Sequence, residues 1–246
     1  MTRSRSQSGI TLMELMISIT LLSMLALGML FAFRIGLSAM SRSSERAVAN
    51  RRVLGVERAL TQQIAGFIPA KAYCQASPEQ PIQHLPFFQG DPQTMRFVSS
   101  YSLQEASRGY ARILEFQVIP SNQNQGVRLI VNERLYTGPL STGALCLGMV
   151  SDPASGVTRT VFRPVEVGPL SFVLADNLSR CDFFFKDETN PDEPVWRPSW
   201  VRDTTPSAVR IQLVPLEPDP SKIHVPTITV SFRPNRHAMK EFVDYK

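Results

Sequence analysis

The chain predicts an α+β fold, one long amino-terminal helix packed on an antiparallel β-sheet, and three observations carry that expectation. Leu15 to Phe33 contains neither a charged residue nor a proline. Between Ser38 and Phe67 there is again no proline, and Val53, Val56, Leu60, Ile64 and Phe67 recur at spacings of three and four. After Pro69 the texture changes to short alternating runs broken by Pro, Gly, Asn and Asp. These are the signatures of an all-round apolar helix, an amphipathic helix and half-buried strands, respectively.

The first segment is long enough to cross a membrane. At about 1.5 Å per residue, a helix over 10–33 extends roughly 36 Å, against a hydrocarbon core of about 30 Å. A signal peptide has a shorter apolar region, although Gly36-Leu37-Ser38 resembles a weak cut site, and a buried helix of a globular domain is rarely apolar on every face. The amphipathic continuation is expected over 34–68. Its single stripe is suited to packing on a sheet, and Pro69 closes it because the residue before a proline leaves the α region.

The body is expected over 69–233. Candidate strands are Met95–Val98, the run containing Leu114, Phe116 and Val118, the run containing Val127, Leu129 and Val131, and then Thr158–Arg163, Leu170–Leu174, Cys181–Phe185, Ala208–Val214 and Thr227–Phe232. Glu115 and Gln117 alternate with apolar neighbours, which predicts one wet face. Mostly short separations with turn signals argue for antiparallel pairing, in a sheet able to curl into a partly closed barrel. Residues 74–92 and 187–206 read as surface loops, and the tail 234–246 as disordered. No internal repeat is present.

At 246 residues and net charge +5, with a pI of about 9.4, the chain is basic. The basic residues gather on no nucleic-acid motif. Much of the excess lies at Arg34, Arg42, Arg46, Arg51, Arg52 and Arg58, against Glu45 and Glu57. There is no Walker loop, GxGxxG, HExxH or GxSxG, so an enzyme, a cofactor and a small-molecule substrate are not expected. His84, His224 and His237 sit in unrelated segments. Asp187, Glu188, Asp192 and Glu193 lack the glycine and terminal glutamate of a calcium loop and read as a solvated turn. Cys74, Cys146 and Cys181 have no metal-ligand spacing, which leaves one disulfide and one free thiol in an oxidising compartment. All three pairings are open; Cys74 with Cys146 would tie the helix end to the body. Trp196 and Trp200 are either a loop anchored in the core, the commoner state of tryptophan, or a contact patch beside Arg197 and Arg202.

Glu14 stands out. A carboxylate within a membrane segment costs on the order of 2.5–3.5 kcal/mol at the centre and less near an end, so it needs a partner. Met1 to Gly9 is short and basic, with Arg3 and Arg5 and no acid. Cutting after Gly9 would leave an α-ammonium on Ile10, about 6 Å along the axis from Glu14. An amine on one subunit facing Glu14 on the next would fix the stagger of parallel helices.

Gly9 followed by Ile10-Thr11-Leu12-Met13-Glu14 resembles the class III signal of type IV pilins and type II secretion pseudopilins. The resemblance implies cleavage by prepilin peptidase between Gly9 and Ile10, N-methylation of Ile10 and an assembly role for Glu14. The family usually has Phe or Met where this chain has Ile10. The leader would be cytoplasmic, giving a single-pass inner-membrane protein with a periplasmic body, although the arginines after the span run against the positive-inside rule. Leu178-Ser179-Arg180-Cys181-Asp182-Phe183-Phe184-Phe185, then Trp196-Arg197-Pro198-Ser199-Trp200 and Pro206-Ser207-Ala208-Val209-Arg210-Ile211-Gln212-Leu213, resembles the J subunit of type II secretion and the related W-type minor pilins. That implies a minor pseudopilin near the pseudopilus tip, with I-, K- and H-type minor subunits above a major pseudopilin. Glu14 argues against the outermost subunit, which often lacks it. The alternatives are a W-type minor pilin priming a type IV pilus and an unprocessed membrane-anchored binding module.

Overall fold

The computed structural model describes residues 11–75, 79, 81–121, 125–151, 158–190, 192–217 and 227–232. The leader 1–9, Ile10 and the tail 234–246 lie outside the described residues. The chain divides into two units after Arg51, and one helix, α1 (Leu12–Ala65), contributes to both.

In the first unit α1 carries apolar residues on every side. Ile17, the most covered large apolar residue between Leu12 and Met40, is still 51% exposed. Its hydroxyls do not depend on water: Ser18 donates to the Glu14 carbonyl at 2.8 Å, Thr20 to Ile17 at 2.8 Å and Ser23 to Ile19 at 2.7 Å. Such internal pairing is what a hydrocarbon solvent requires.

In the second unit the last turns of α1 bury Leu60, Gln63 and Ile64. The helix ends at Ala65, two residues before the expected stripe does, because the chain must pass close to a strand at Gly66. A Cβ there would lie 2.6 Å from Ser99 Oγ and 3.1 Å from Tyr101 N. The freed carbonyls are capped from that strand: Ser99 Oγ donates to Gln63 O at 2.7 Å and Ser100 N to Gly66 O at 2.8 Å. Phe67 therefore belongs to a strand rather than to the helix.

Among the described residues thirteen strands and a short helix follow: β1 (Phe67–Ile68), β2 (Lys71–Cys74), β3 (Gln83–Pro86), β4 (Gln89–Asp91), β5 (Thr94–Ser102), β6 (Ser107–Pro120), β7 (Val127–Leu135), α2 (Pro139–Gly143), β8 (Cys146–Ser151), β9 (Thr158–Phe162), β10 (Phe172–Asp187), β11 (Val195–Arg197), β12 (Ala208–Pro215) and β13 (Thr227–Ser231). The main sheet is antiparallel and nine-stranded, in the order β1-β5-β6-β7-β10-β12-β13, with β4 beside β5 and β11 beside β10. It curls far enough to bring Phe67 and Phe232 to 4.9 Å between ring centroids, yet β1 and β13 are not paired. The expected partly closed barrel is thus an open, curled sheet.

The two strands expected at 170–174 and 181–185 are one. β10 pairs β7 through its first half and β12 through its second, with register shifts between Val173 and Arg180. Asn177 there takes φ 55, which re-aims the strand without ending it.

Leu60 and Ile64 pack with Phe97, Phe116, Phe183 and Phe185 on the inner face of the curl. The expected wet face of β6 is covered. The β2–β3 and β8–β9 hairpins lie over it, burying Val98, Ile113, Phe87 and Phe162. Cys74 and Cys146 are joined by a disulfide between these hairpins, across a sequence separation of 72. Glu115 is 1% exposed and paired to equally buried Arg96 at 2.7 Å. Arg96 also donates to Gln89 Oε1 at 2.8 Å and to the Arg163 carbonyl at 2.6 Å. Burial lowers the Arg96 pKa while Glu115 opposes that shift; the guanidinium stays charged.

The segments expected as surface loops are partly core. Within 74–92 the chain forms β3 and β4 and buries Phe87. Within 187–206 it forms β11 and seats Trp200, whose N–H groups bond the carbonyls of Gly90 at 2.7 Å and Thr204 at 2.5 Å. Short, proline-flanked strands with polar neighbours have too little apolar alternation to stand out.

Candidate assembly site on the amino-terminal helix

The site is built from the first turn of α1. Thr11 precedes the helix and its carbonyl accepts the backbone N–H groups of Glu14 at 3.1 Å and Leu15 at 3.2 Å. Its hydroxyl lies 3.4 Å from the Glu14 nitrogen, the position of an N-cap. Glu14 is the acidic residue of that turn, favourably placed toward the positive end of the helix dipole. Its side chain is exposed and forms no ion pair with a described residue. A carboxylate is therefore displayed on a helix surface dominated by Leu, Met, Ile and Phe, with a mean hydropathy of 2.3 over its most apolar window. The helix is long and apolar enough to cross a membrane. An arrangement of this kind can accept a cation from an adjacent helix and fix its axial position.

A family model described as the prokaryotic N-terminal methylation motif matches residues 4–30. The amino-terminal segment thus matches a prepilin-type methylation motif. Gly9, Ile10 and Glu14 all fall inside the matched stretch. This prepilin-type segment, with the long apolar helix it opens, supports a type IV pilin-like protein that prepilin peptidase processes and that has pilin-like assembly partners. No curated protein matches the chain.

Of the residues singled out from the sequence, the structure places Glu14 in the prepilin-type helix. The cleavage pair Gly9 and Ile10 lies outside the described residues, as do His224 and His237. His84 stacks on Tyr73 at 4.2 Å between ring centroids. The two tryptophans separate: Trp200 is a core anchor, while Trp196 is half-buried beneath the Arg210 guanidinium, 4.0 Å from its ring. Among the described residues no three His, Cys, Asp or Glu side chains converge as a metal site would require. In the acidic loop, Asp187 is engaged by Thr189 Oγ1 at 2.6 Å, Arg197 at 2.7 Å and Arg202 at 2.9 Å. These contacts, the Thr189 hydroxyl first, hold its pKa at about 2. Cys181 is buried, and desolvation with Asp182 beside it pushes its thiol up to about 12, so it stays protonated and unreactive.

One constellation that the sequence did not disclose joins helix to sheet. Glu133 accepts from Gln63 Nε2 at 3.3 Å, Ser102 Oγ at 2.8 Å and Leu103 N at 2.5 Å. The residues are 30 to 70 positions apart, and no local pattern links them.

Proposed function

We propose that this chain is a structural minor pseudopilin of a type II secretion system, similar to its J subunit, with no catalytic activity. In this reading the precursor waits in the inner membrane, leader in the cytoplasm and body in the periplasm. Prepilin peptidase cuts between Gly9 and Ile10, and Ile10 is N-methylated. The mature protein then joins I-, K- and H-type minor subunits near the tip of a pseudopilus built on a major pseudopilin. The exposed carboxylate of Glu14, in the first turn of a helix that is apolar through Phe33, carries the proposal. In a medium of low dielectric that charge is attracted strongly to an α-ammonium group on a neighbour. A disulfide in the body suits an oxidising periplasm.

Intact-mass measurement of the membrane-extracted protein tests it. The expected product lacks Met1–Gly9 and carries a methyl group on Ile10. An intact amino terminus would overturn the assembly role and favour a permanently anchored module. Secretion lost on deletion while type IV pili persist separates the pseudopilin from the W-type minor pilin.

A further inference from the structure

We propose that Arg34, Arg42 and Arg46 form a binding surface for the phosphate headgroups of anionic phospholipids where the apolar part of α1 ends. The inference rests on the reading that this part crosses a membrane. It does not depend on which way the chain faces.

The apolar surface does not stop at Arg34: Ile35, Leu37 and Met40 beyond it are exposed. From Leu12 to Met40 the helix measures roughly 42 Å, longer than a hydrocarbon core of about 30 Å, a mismatch that tilt and local thickening of the bilayer together absorb. Arg34 then lies within the apolar stretch, where its long side chain must extend toward the interface. Arg42 follows Met40 by about 3 Å along the axis and Arg46 by about 9 Å, within a headgroup layer plus a Debye length. Arg51 follows by about 17 Å and so interacts most weakly of these arginines.

At about 100° per residue Arg34, Arg42 and Arg46 occupy an arc of roughly 120°. Ser38 and Ser41 fall on or beside it, and Ser43 and Ser44 complete a hydroxyl-rich turn. Glu45 also lies on the arc, so three guanidinium groups face one carboxylate. All four charged side chains are exposed, and none is in an ion pair with a described residue. Guanidinium forks are phosphate-binding chemistry; the Ser38 and Ser41 hydroxyls donate to the Ile35 and Ser38 carbonyls and leave that task to the arginines. An acidic protein neighbour is the less suitable occupant, because Arg34 sits among side chains that lipid covers.

The full chain, reconstituted in phosphatidylcholine vesicles, is probed by electron spin resonance with spin-labelled phosphatidylglycerol and spin-labelled phosphatidylcholine. The wild type is expected to restrict phosphatidylglycerol preferentially, by about fivefold per participating arginine at low salt, with the preference collapsing in 1 M NaCl. R34Q/R42Q/R46Q should bring it near unity, R42K/R46K should keep it, and R51Q should lower it least. Equal restriction of both lipids by the wild type overturns the proposal whatever the variants do. Equal restriction combined with loss of fibre incorporation in R42Q/R46Q also overturns it and assigns the arginines to a protein neighbour. The intact mass of the same preparation reports processing separately, so failure here leaves the prepilin reading standing.

Discussion

Glu14 and Asp187 are both carboxylates, yet their surroundings give them opposite tasks. Glu14 is displayed with no ion-pair partner among the described residues, and under the proposed function its use lies between molecules. Glu14→Leu removes the charge but leaves the apolar helix and the residues before it unchanged. Under the proposed function, processing should therefore remain near wild type while incorporation into the fibre falls at least tenfold, as read by cross-linking or secretion; wild-type secretion would sink the register argument. Gly9→Val should block removal of the leader, visible as a precursor by mass. Asp187 is satisfied internally. Its pKa of about 2 lies below the ordinary 3.8, so its contribution is present above about pH 4 and is lost as pH falls toward 2. Arg197 and Arg202 are half in water, which limits that contribution to about 1 kcal/mol. Denaturant titrations of wild type and Asp187→Asn should differ by this amount at pH 7 and converge near pH 2.

At the scale of elements, the joint between helix and sheet and the covered face of β5 and β6 decide stability. Gly66→Ala would drive a methyl group into Ser99 Oγ, 2.6 Å from the ideal Cβ position, and should cost about 1–3 kcal/mol. Glu115→Leu alone strands the Arg96 charge and should cost about 3–5 kcal/mol; adding Arg96→Met should recover much of it, because an apolar pair fits a buried site. A double variant no more stable than the single one would show that Gln89 and the Arg163 carbonyl suffice for the guanidinium. Replacing Cys74 and Cys146 by serine should lower stability by about 2–4 kcal/mol, measured as a shift in the denaturation midpoint.

Across the whole molecule, every described core residue lies between Val56 and Phe232, while no described residue of the first unit is buried within the chain. A protein beginning at Arg52 should therefore unfold in one cooperative transition without detergent, whereas the full chain should need detergent or lipid. Aggregation of the shorter protein with no transition would mean that the body depends on the preceding helix.

The membrane-length helix, the stripe at Val53, Val56, Leu60 and Ile64, and the prepilin-type pattern around Glu14 were legible in the linear order of residues. Each depends on neighbours three to ten positions apart, and on a solvent, lipid, whose demands are uniform along the helix. Most strands were legible for the same reason, since alternation is local. The sites built from distant residues were not. Glu115 reads as a solvent-facing residue until two hairpins cover it, and Trp200 reads the same as Trp196 until Gly90 accepts its backbone N–H. The helix ends at Ala65 because β5 passes there, and β10 is a single strand because β7 and β12 share its length. Pairings of this kind depend on which segments the curl of the sheet brings together, and short-range periodicity carries no information about them.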